Sequence, residues 1–543
     1  MMALKAGGHM TMLKEKRITK PLFIHYHAYK KLQELAKHPF DLAKPGNLTP
    51  ERLNKYVSES CGYKLLYGTE RINDEVMIAL QSLALESQAM QKMQQMQAGE
   101  IVNYIQGHPS ENRPALHTAT RDFFDSPNPS KAAMEAAKLA KAEIDKLKKF
   151  IADIDKENKF NTLIMIGIGG SDLGPKAHYL ALQYLHKKGR SARFISNIDP
   201  DDVAIALDGV DLKKALVLVI SKTGTTLETV TDEAIVRARF KSAGLNDAEH
   251  FISVTMPGSP LDDPKKYRKT FYMWDWIGGR YSTTSMVGGV LLSFTCGFDA
   301  FWELLKGANA MDKAALKNGI DKNLPLLAAL LGIWNRNFLN HHTLAIIPYS
   351  QALIRFPAHI QQLDMESHGK RIDQQGNSVD FDTGPIIWGE VGTSSQHSFF
   401  QLLHQGTTTV PIEFIAYKEN QWPLNDDVHG TTSQQKLLAN LFAQSLGLAT
   451  GQPSDNPNKV FPGNRPSHIV LGKKLTPYSL GALLAFFEHK IAFQGFIWDI
   501  NSFDQEGVQL GKVLANKIIS RFAKPNETPY PLGDTLINQL NSL

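Results

Sequence analysis

Cysteine is nearly absent, with only Cys61 and Cys296 among 543 residues. Two thiols cannot build a disulfide framework, so a reducing compartment is expected. An excess of one charge sign is lacking too: 59 Lys and Arg face 54 Asp and Glu, and the surplus of +5 is spread thinly with no polybasic run. That pattern argues against nucleic acid or a membrane surface as partner. The opening residues contain no apolar h-region, and the strongest apolar run, residues 324–331, is far too short to span a bilayer. A cytoplasmic location is expected. Low-complexity tracts and short repeats are also missing. Within residues 1–12 the stretch Gly7-Gly8-His9-Met10 has the look of an expression-vector remnant.

What is present is ordinary globular material. Hydrophobic residues make up 43% and charged residues 21%, far from the composition of disorder, and the length calls for more than one core. Residues 22–97 read as helical, with Leu65, Ile72, Met77 and Leu83 near helical spacing, and residues 107–114 as a turn-rich stretch. Residues 131–149 place Ala137, Ala140, Ile144 and Leu147 on one face among Lys and Glu, as an amphipathic helix does. Short buried-type runs at 162–168, 192–195, 215–220 and 250–255 alternate with helical segments. A second alternation has strands at 343–347, 385–388 and 410–416, with a helix near 352–364. Such alternation predicts parallel, doubly wound sheets, which bind ligands at the carboxyl ends of their strands. Residues 430–450 and 480–493 read as helices, residues 496–500 as an aromatic strand, and the tail after Lys524 as an extended arm.

Several segments carry chemistry. Gly167, Gly169, Gly170 and Ser171 follow a strand, with Pro175 placed as the first residue of a helix. Backbone amides there suit an anion or a sugar hydroxyl. The dinucleotide fingerprint fails because Asp172 stands where its third Gly belongs, and no Gly-Lys-Ser/Thr supports a P-loop. Residues 217–228 empty a buried strand into Ser221, Lys222, Thr223, Gly224, Thr225 and Thr226, with Thr225 and Glu228 at capping-box spacing. Hydroxyls, amides and the positive end of a helix dipole together suit a phosphate monoester. Gly278-Gly279-Arg280 sets a permanently charged fork beside close-approach glycines. Gln362, Glu366 and Gly369 lie near a helix end, which makes Glu366 a candidate carbon base. Residues 394–406 read as a capped helix with His397, a candidate proton shuttle, in its first turn. Gln505 and Lys512 belong to the last motif, in which a lone Lys ordinarily faces solvent. His25 and His27 form a His-x-His pair without the further ligands of a metal site, so no metal is expected.

Taken together and in order, these segments resemble the glucose-6-phosphate isomerase (phosphoglucose isomerase) family over nearly the whole chain. Residues 278–282 and 503–512 are the most specific, supported by residues 167–175, 365–367 and 396–397. The resemblance implies an α/β fold of two doubly wound parallel-sheet sugar-isomerase domains, at 126–296 and 297–515. A helical N-terminal region, 1–125, would pack on the second lobe, and 516–543 would form a C-terminal arm. It implies aldose–ketose isomerisation between glucose 6-phosphate and fructose 6-phosphate, in glycolysis and gluconeogenesis, without a cofactor. It also implies a homodimer with shared active sites, in which His397 reaches the neighbouring subunit's substrate. By the family's motifs, Glu366, His397, Lys512 and Arg280 would be catalytic. Gly170, Ser171, Ser221, Lys222, Thr223, Thr226, Gln362 and Gln505 would bind substrate. The sequence departs from the family pattern at Gly224 (commonly Phe), at Thr283-Thr284 (Leu-Trp in many members), and at Glu506 and Gln509 (commonly Trp and Glu). The rival readings are a catalytically silent sugar-phosphate sensor on the same scaffold and a nicotinamide-dependent dehydrogenase, whose fingerprint is missing.

Overall fold

A computed structural model describes residues 23–524 and 529–543. The strands run in chain order Val57–Ser60 (β1), Tyr63–Leu66 (β2), Thr162–Ile166 (β3), Ser191–Ile195 (β4), Ala215–Ile220 (β5), Phe251–Thr255 (β6), Lys269–Tyr272 (β7), Thr343–Tyr349 (β8), Ile386–Trp388 (β9), Ile412–Glu419 (β10), Asp427–Val428 (β11), Thr431–Thr432 (β12) and Ser467–Lys474 (β13). One sheet has the order β4-β3-β5-β6-β7 and is parallel throughout. The other has the order β1-β2-β13-β10-β8-β9, with β13, β10, β8 and β9 parallel and the β1–β2 hairpin added antiparallel at one edge. β11 and β12 form a separate exposed ribbon. The α/β class with parallel sheets is as expected.

β5 shows why these runs become central strands. All six of its residues, Ala-Leu-Val-Leu-Val-Ile, are buried, because helices cover both faces of a parallel sheet and leave no position for a polar side chain. The helix Lys131–Glu157 follows the opposite rule. Ser130 caps it by accepting from the Ala133 amide, and Ala133, Ala140, Ile144, Leu147, Ile151 and Ile154 form its buried stripe. The helix Pro477–Trp498 is buried on every side from Leu480 onward, starting at a reciprocal Thr476–Ser479 cap. It is long and apolar enough to cross a membrane by composition, yet it lies wholly inside the fold.

Four local readings change. Residues 57–66 are a hairpin rather than helix, because Tyr63–Leu66 pair with residues 469–472 far along the chain. Residues 496–498 are the last turn of the buried helix, not a strand, since a short aromatic run satisfies either structure and the preceding helical turns decide. Past Lys524, Pro531–Asn541 is helical and folds back on the helix Gln509–Ala523, with Arg521 Nε 2.5 Å from Asp534 Oδ1. Pro175 is the third residue of the helix Leu173–Ala181, not the first. β7, β13 and the β11–β12 ribbon were not foreseen, and the helix expected from residue 430 starts at Ser433. Residues 1–12 lie outside the described residues.

Candidate functional site

The loops leaving β3 and β5 emerge side by side at the carboxyl end of the first sheet, where β4 lies to one side of β3 and β5 to the other. That reversal of strand order opens a crevice. Gly169 and Gly170 lie in the first loop. Gly170 is obligatory, because a Cβ there would overlap the Gly279 carbonyl, so the Arg280 loop packs directly on this backbone. Ser171 follows on the same turn. Gly169 approaches the Gln362 amide of the helix Phe356–His368, which follows β8, an interior strand of the other sheet.

The β5 loop forms a hydroxyl cluster. Ser221 Oγ lies 2.9 Å from Thr226 Oγ1 and accepts from the Gly224 amide at 3.1 Å, while Thr223 Oγ1 lies 2.9 Å from Thr225 Oγ1. The helix Leu227–Ser242 begins here, so its free amides and the positive end of its dipole face the cluster. The expected Thr225–Glu228 capping box is replaced: Thr226 is the N-cap, and its hydroxyl turns to Ser221. Gly224 adopts a φ of +70°, which a Phe would tolerate poorly, so the departure from the family pattern at this position suits its backbone. Lys222 directs its ammonium away from the hydroxyls to the Ile277 carbonyl at 3.1 Å. This ties the β5 loop to the segment that carries Arg280. Burial first, then the nearby positive Arg113, push the Lys222 ammonium down to about 8.

Arg280 is the hub. Its side chain is 1% exposed, and it donates from Nε to Ser367 Oγ at 2.8 Å, from Nη1 to Gln505 Oε1 at 3.3 Å, and from Nη2 to the Ser502 and Asp504 carbonyls at 2.5 and 3.1 Å. Nη1 also lies 3.3 Å from Glu366 Oε2, the same oxygen that accepts from Gln362 Nε2 at 3.2 Å. Glu366 sits in the last turn of its helix and is partly exposed. Ser367 and Tyr281 brace the guanidinium, with Tyr281 Oη 3.1 Å from Ser367 Oγ. Lys370 bonds the Glu366 and Asp504 carbonyls at 3.0 and 2.8 Å and pairs with the Asp504 carboxylate at 2.8 Å, locking the end of the helix to the Gln505 loop. Thr284, where many family members have Trp, is also accounted for. Its hydroxyl lies 2.7 Å from Thr120 Oγ1 and 3.2 Å from Arg121 Nη1, in a buried network with Asp312 and Glu488.

The fold therefore gathers Gly170, Ser171, Gln362, Glu366, Arg280 and Gln505, and the Lys222 bond to Ile277 joins the cluster of Ser221, Thr223 and Thr226 to them. His397 and Lys512 stand apart from this assembly. His397 ends the 3-10 turn Ser394–His397 and is exposed, so it does not lie in the first turn of the helix, which is Phe400–Gln405. Lys512 is exposed on a helix with no buried residue. The bracing groups Ser367, Tyr281, Lys370 and Asp504 were missed as such. They sit beside singled-out residues, but only contacts across the chain show what they do.

Against known proteins, the family described as Phosphoglucose isomerase matches residues 66–530. The chain belongs to the phosphoglucose isomerase family. It is 62% identical over 524 residues to the glucose-6-phosphate isomerase of Protochlamydia amoebophila, covering 96% of this chain and 97% of that protein. To the glucose-6-phosphate isomerase of Desulfotalea psychrophila it is 52% identical, over 94% of this chain and 97% of that one. The crystal structure of a glucose-6-phosphate isomerase from Chlamydia trachomatis superposes with a TM-score of 0.92 at 48% identity, covering 96% of this chain and all of that one. Membership in the phosphoglucose isomerase family makes this chain an enzyme of the isomerase class.

Proposed function

We propose that this protein interconverts glucose 6-phosphate and fructose 6-phosphate, with Glu366 as the carbon base. The observation that carries the proposal is a carboxylate and a buried guanidinium 3.3 Å apart, next to a hydroxyl-lined helix N-terminus. The Ser221, Thr223 and Thr226 hydroxyls with the Lys222 amide hold the phosphate. Gly170, Ser171, Gln362 and Gln505 line the sugar.

In the open-chain aldose, Glu366 removes the proton on C2, and the electron pair moves to the C1 oxygen to give an enediolate. Arg280 stabilises that charge, worth roughly 3 kcal/mol if it acts as an oxyanion donor does. The C2 hydroxyl then gives up its proton and the C1 oxygen gains one, Glu366 returns its own proton to C1 as the C2 carbonyl forms, and the ketose results, so no net electron transfer occurs and no cofactor is required. His397 and Lys512 assist ring opening, with His397 supplied by the neighbouring subunit of a homodimer. The exposure of His397 on its own chain supports that arrangement. A cytoplasmic place in glycolysis and gluconeogenesis follows from this activity.

The direct test couples fructose 6-phosphate turnover to glucose-6-phosphate dehydrogenase and follows NADPH. Turnover that Glu366→Gln abolishes supports the isomerase. No turnover by the wild-type protein rejects it in favour of a sensor.

A further inference from the structure

The second sheet repeats the reversal that frames the site in the first. β9 lies to one side of β8 and β10 to the other, so a crevice opens between the carboxyl ends of β8 and β10. A cavity of about 430 Å³ occupies this place, within the range that holds small ligands. Ser350, the first residue after β8, and Gln421, just past β10, both line it. None of the residues assigned to the isomerase reaction lines it.

The chemistry of the walls differs from that of the β5 loop. There, a glycine turn and hydroxyls lead into a helix N-terminus. Here the chain past β10 reads Asn420-Gln421-Trp422-Pro423, with no glycine and no hydroxyl, and among the described residues neither lysine nor arginine lines the cavity. Among the described residues the sole carboxylate in the lining, Glu419, has Lys473 at 3.9 Å. Among the described residues the wall therefore offers an anion no cationic side chain.

Its amides are oriented. Gln421 spends Nε2 on the Ala181 and Leu475 carbonyls at 2.8 and 3.0 Å, and Gln434 spends Nε2 on the Tyr417 carbonyl at 2.6 Å. Carbonyls accept only, so both amide nitrogens are fixed as donors to the protein and both Oε1 atoms remain as acceptors. With Glu419 they place fixed acceptors on the wall, beside the Ser350 hydroxyl and the amides of Gln183, Gln351 and Asn420, which can both donate and accept. Trp422, 56% exposed, adds an aromatic ring, an apolar surface of the kind that an apolar ligand face can cover.

We propose that this second crevice binds a neutral polyhydroxylated molecule of monosaccharide size that carries no phosphate. Hydroxyl groups supply the donors that the Gln421, Gln434 and Glu419 oxygens accept, and Trp422 covers the apolar face. The site is separate from the isomerase centre and does not depend on that assignment.

The test is calorimetric titration of the full-length protein with D-glucose and myo-inositol, with inorganic phosphate as the contrasting probe. The expected result is saturable binding of at least one neutral polyol that survives a saturating equilibrium mixture of the two sugar phosphates and is unchanged in Glu366→Gln. Trp422→Ala and Gln434→Met should each weaken it by about tenfold or more while fructose 6-phosphate turnover stays within about twofold. Leu437→Phe, which fills the cavity without removing a polar group, serves as an independent block and should also weaken binding. No saturable binding, displacement by the sugar phosphates, or full affinity in both Trp422→Ala and Leu437→Phe overturns the proposal.

Discussion

The Arg280 guanidinium lies 3.3 Å from the Glu366 carboxylate, although the two residues belong to segments attached to different sheets. Arg280 is held from four sides by Ser367, Gln505 and the Ser502 and Asp504 carbonyls, while Glu366 stays partly exposed. One partner is fixed and the other is accessible. A stabilising charge beside a working base has this asymmetry.

Glu366→Gln keeps the shape of the side chain and removes the base. Turnover should fall by at least ~1,000-fold with KM changed only slightly. Steady-state kinetics in both directions measure this, and a mutant within tenfold of wild type would remove Glu366 from the chemistry.

Arg280→Lys keeps the charge and loses the fork. An ammonium cannot span Ser367, Gln505 and the two carbonyls at once, so kcat should drop by roughly 100- to 1,000-fold. The buried carbonyls left without donors should also lower Tm. Unchanged kcat would mean that a point charge suffices.

Gly170→Ala is a test of packing. The added methyl meets the Gly279 carbonyl, so the Arg280 loop must shift, at a cost of about 1–3 kcal/mol in stability and a large loss of kcat. Calorimetry and kinetics together decide it, because a stable and fully active variant would show that the two loops are not in contact.

Co-expression of His397→Ala with Glu366→Gln tests shared sites. If each site draws His397 from the other subunit, a mixed dimer has one intact site and one doubly defective site. A random mixture of two inactive chains should then recover roughly a quarter of wild-type activity. Activity no higher than that of either mutant alone would place His397 in its own subunit's site or outside the mechanism.

Stability should depend on pH from both sides. Burial holds His359 down to about 3 and His178 down to about 4 at the contact between the helices Leu173–Ala181 and Phe356–His368. Both pKa values lie below that of an unfolded His, so the unfolded chain binds more protons in acid. Their contribution is present above about pH 6.5 and is lost as pH falls toward these values. His468, faced by Glu70, Glu413 and, through Glu413, Lys490, is pushed up to about 9, chiefly by the Glu413 charge acting against burial. Its contribution is present below about pH 6.5 and is lost as pH rises through 9. Tm should therefore peak near pH ~6.5, and His359→Leu should flatten the acid limb. A Tm profile with no fall on the acid side would contradict the neutral buried imidazoles.

Much of this was legible in the chain. The continuous apolar run of β5, set in an alternation of strands and helices, read as a buried strand of a parallel sheet, and the hydroxyls after it, the Gly278-Gly279-Arg280 segment and the Glu366 helix end were recognisable as candidate chemistry. The β1–β2 hairpin was not, because residues 63–66 become a strand by pairing with residues 469–472. Residues 496–498 went the other way, since a short aromatic run takes whichever structure its buried neighbours impose.

The sequence by itself determined the strand-and-helix alternation, the composition of each loop and the membership of the family, because those depend on local periodicity and on residue identity in order. Tertiary structure alone decided that Gly170 would seat the Arg280 loop, that Ser367 and Gln505 would aim the guanidinium at Glu366, and that His397 and Lys512 would stay at the surface. These relations are contacts between residues distant in the chain. Packing and the closing of two sheets create them, and no local pattern encodes a distance.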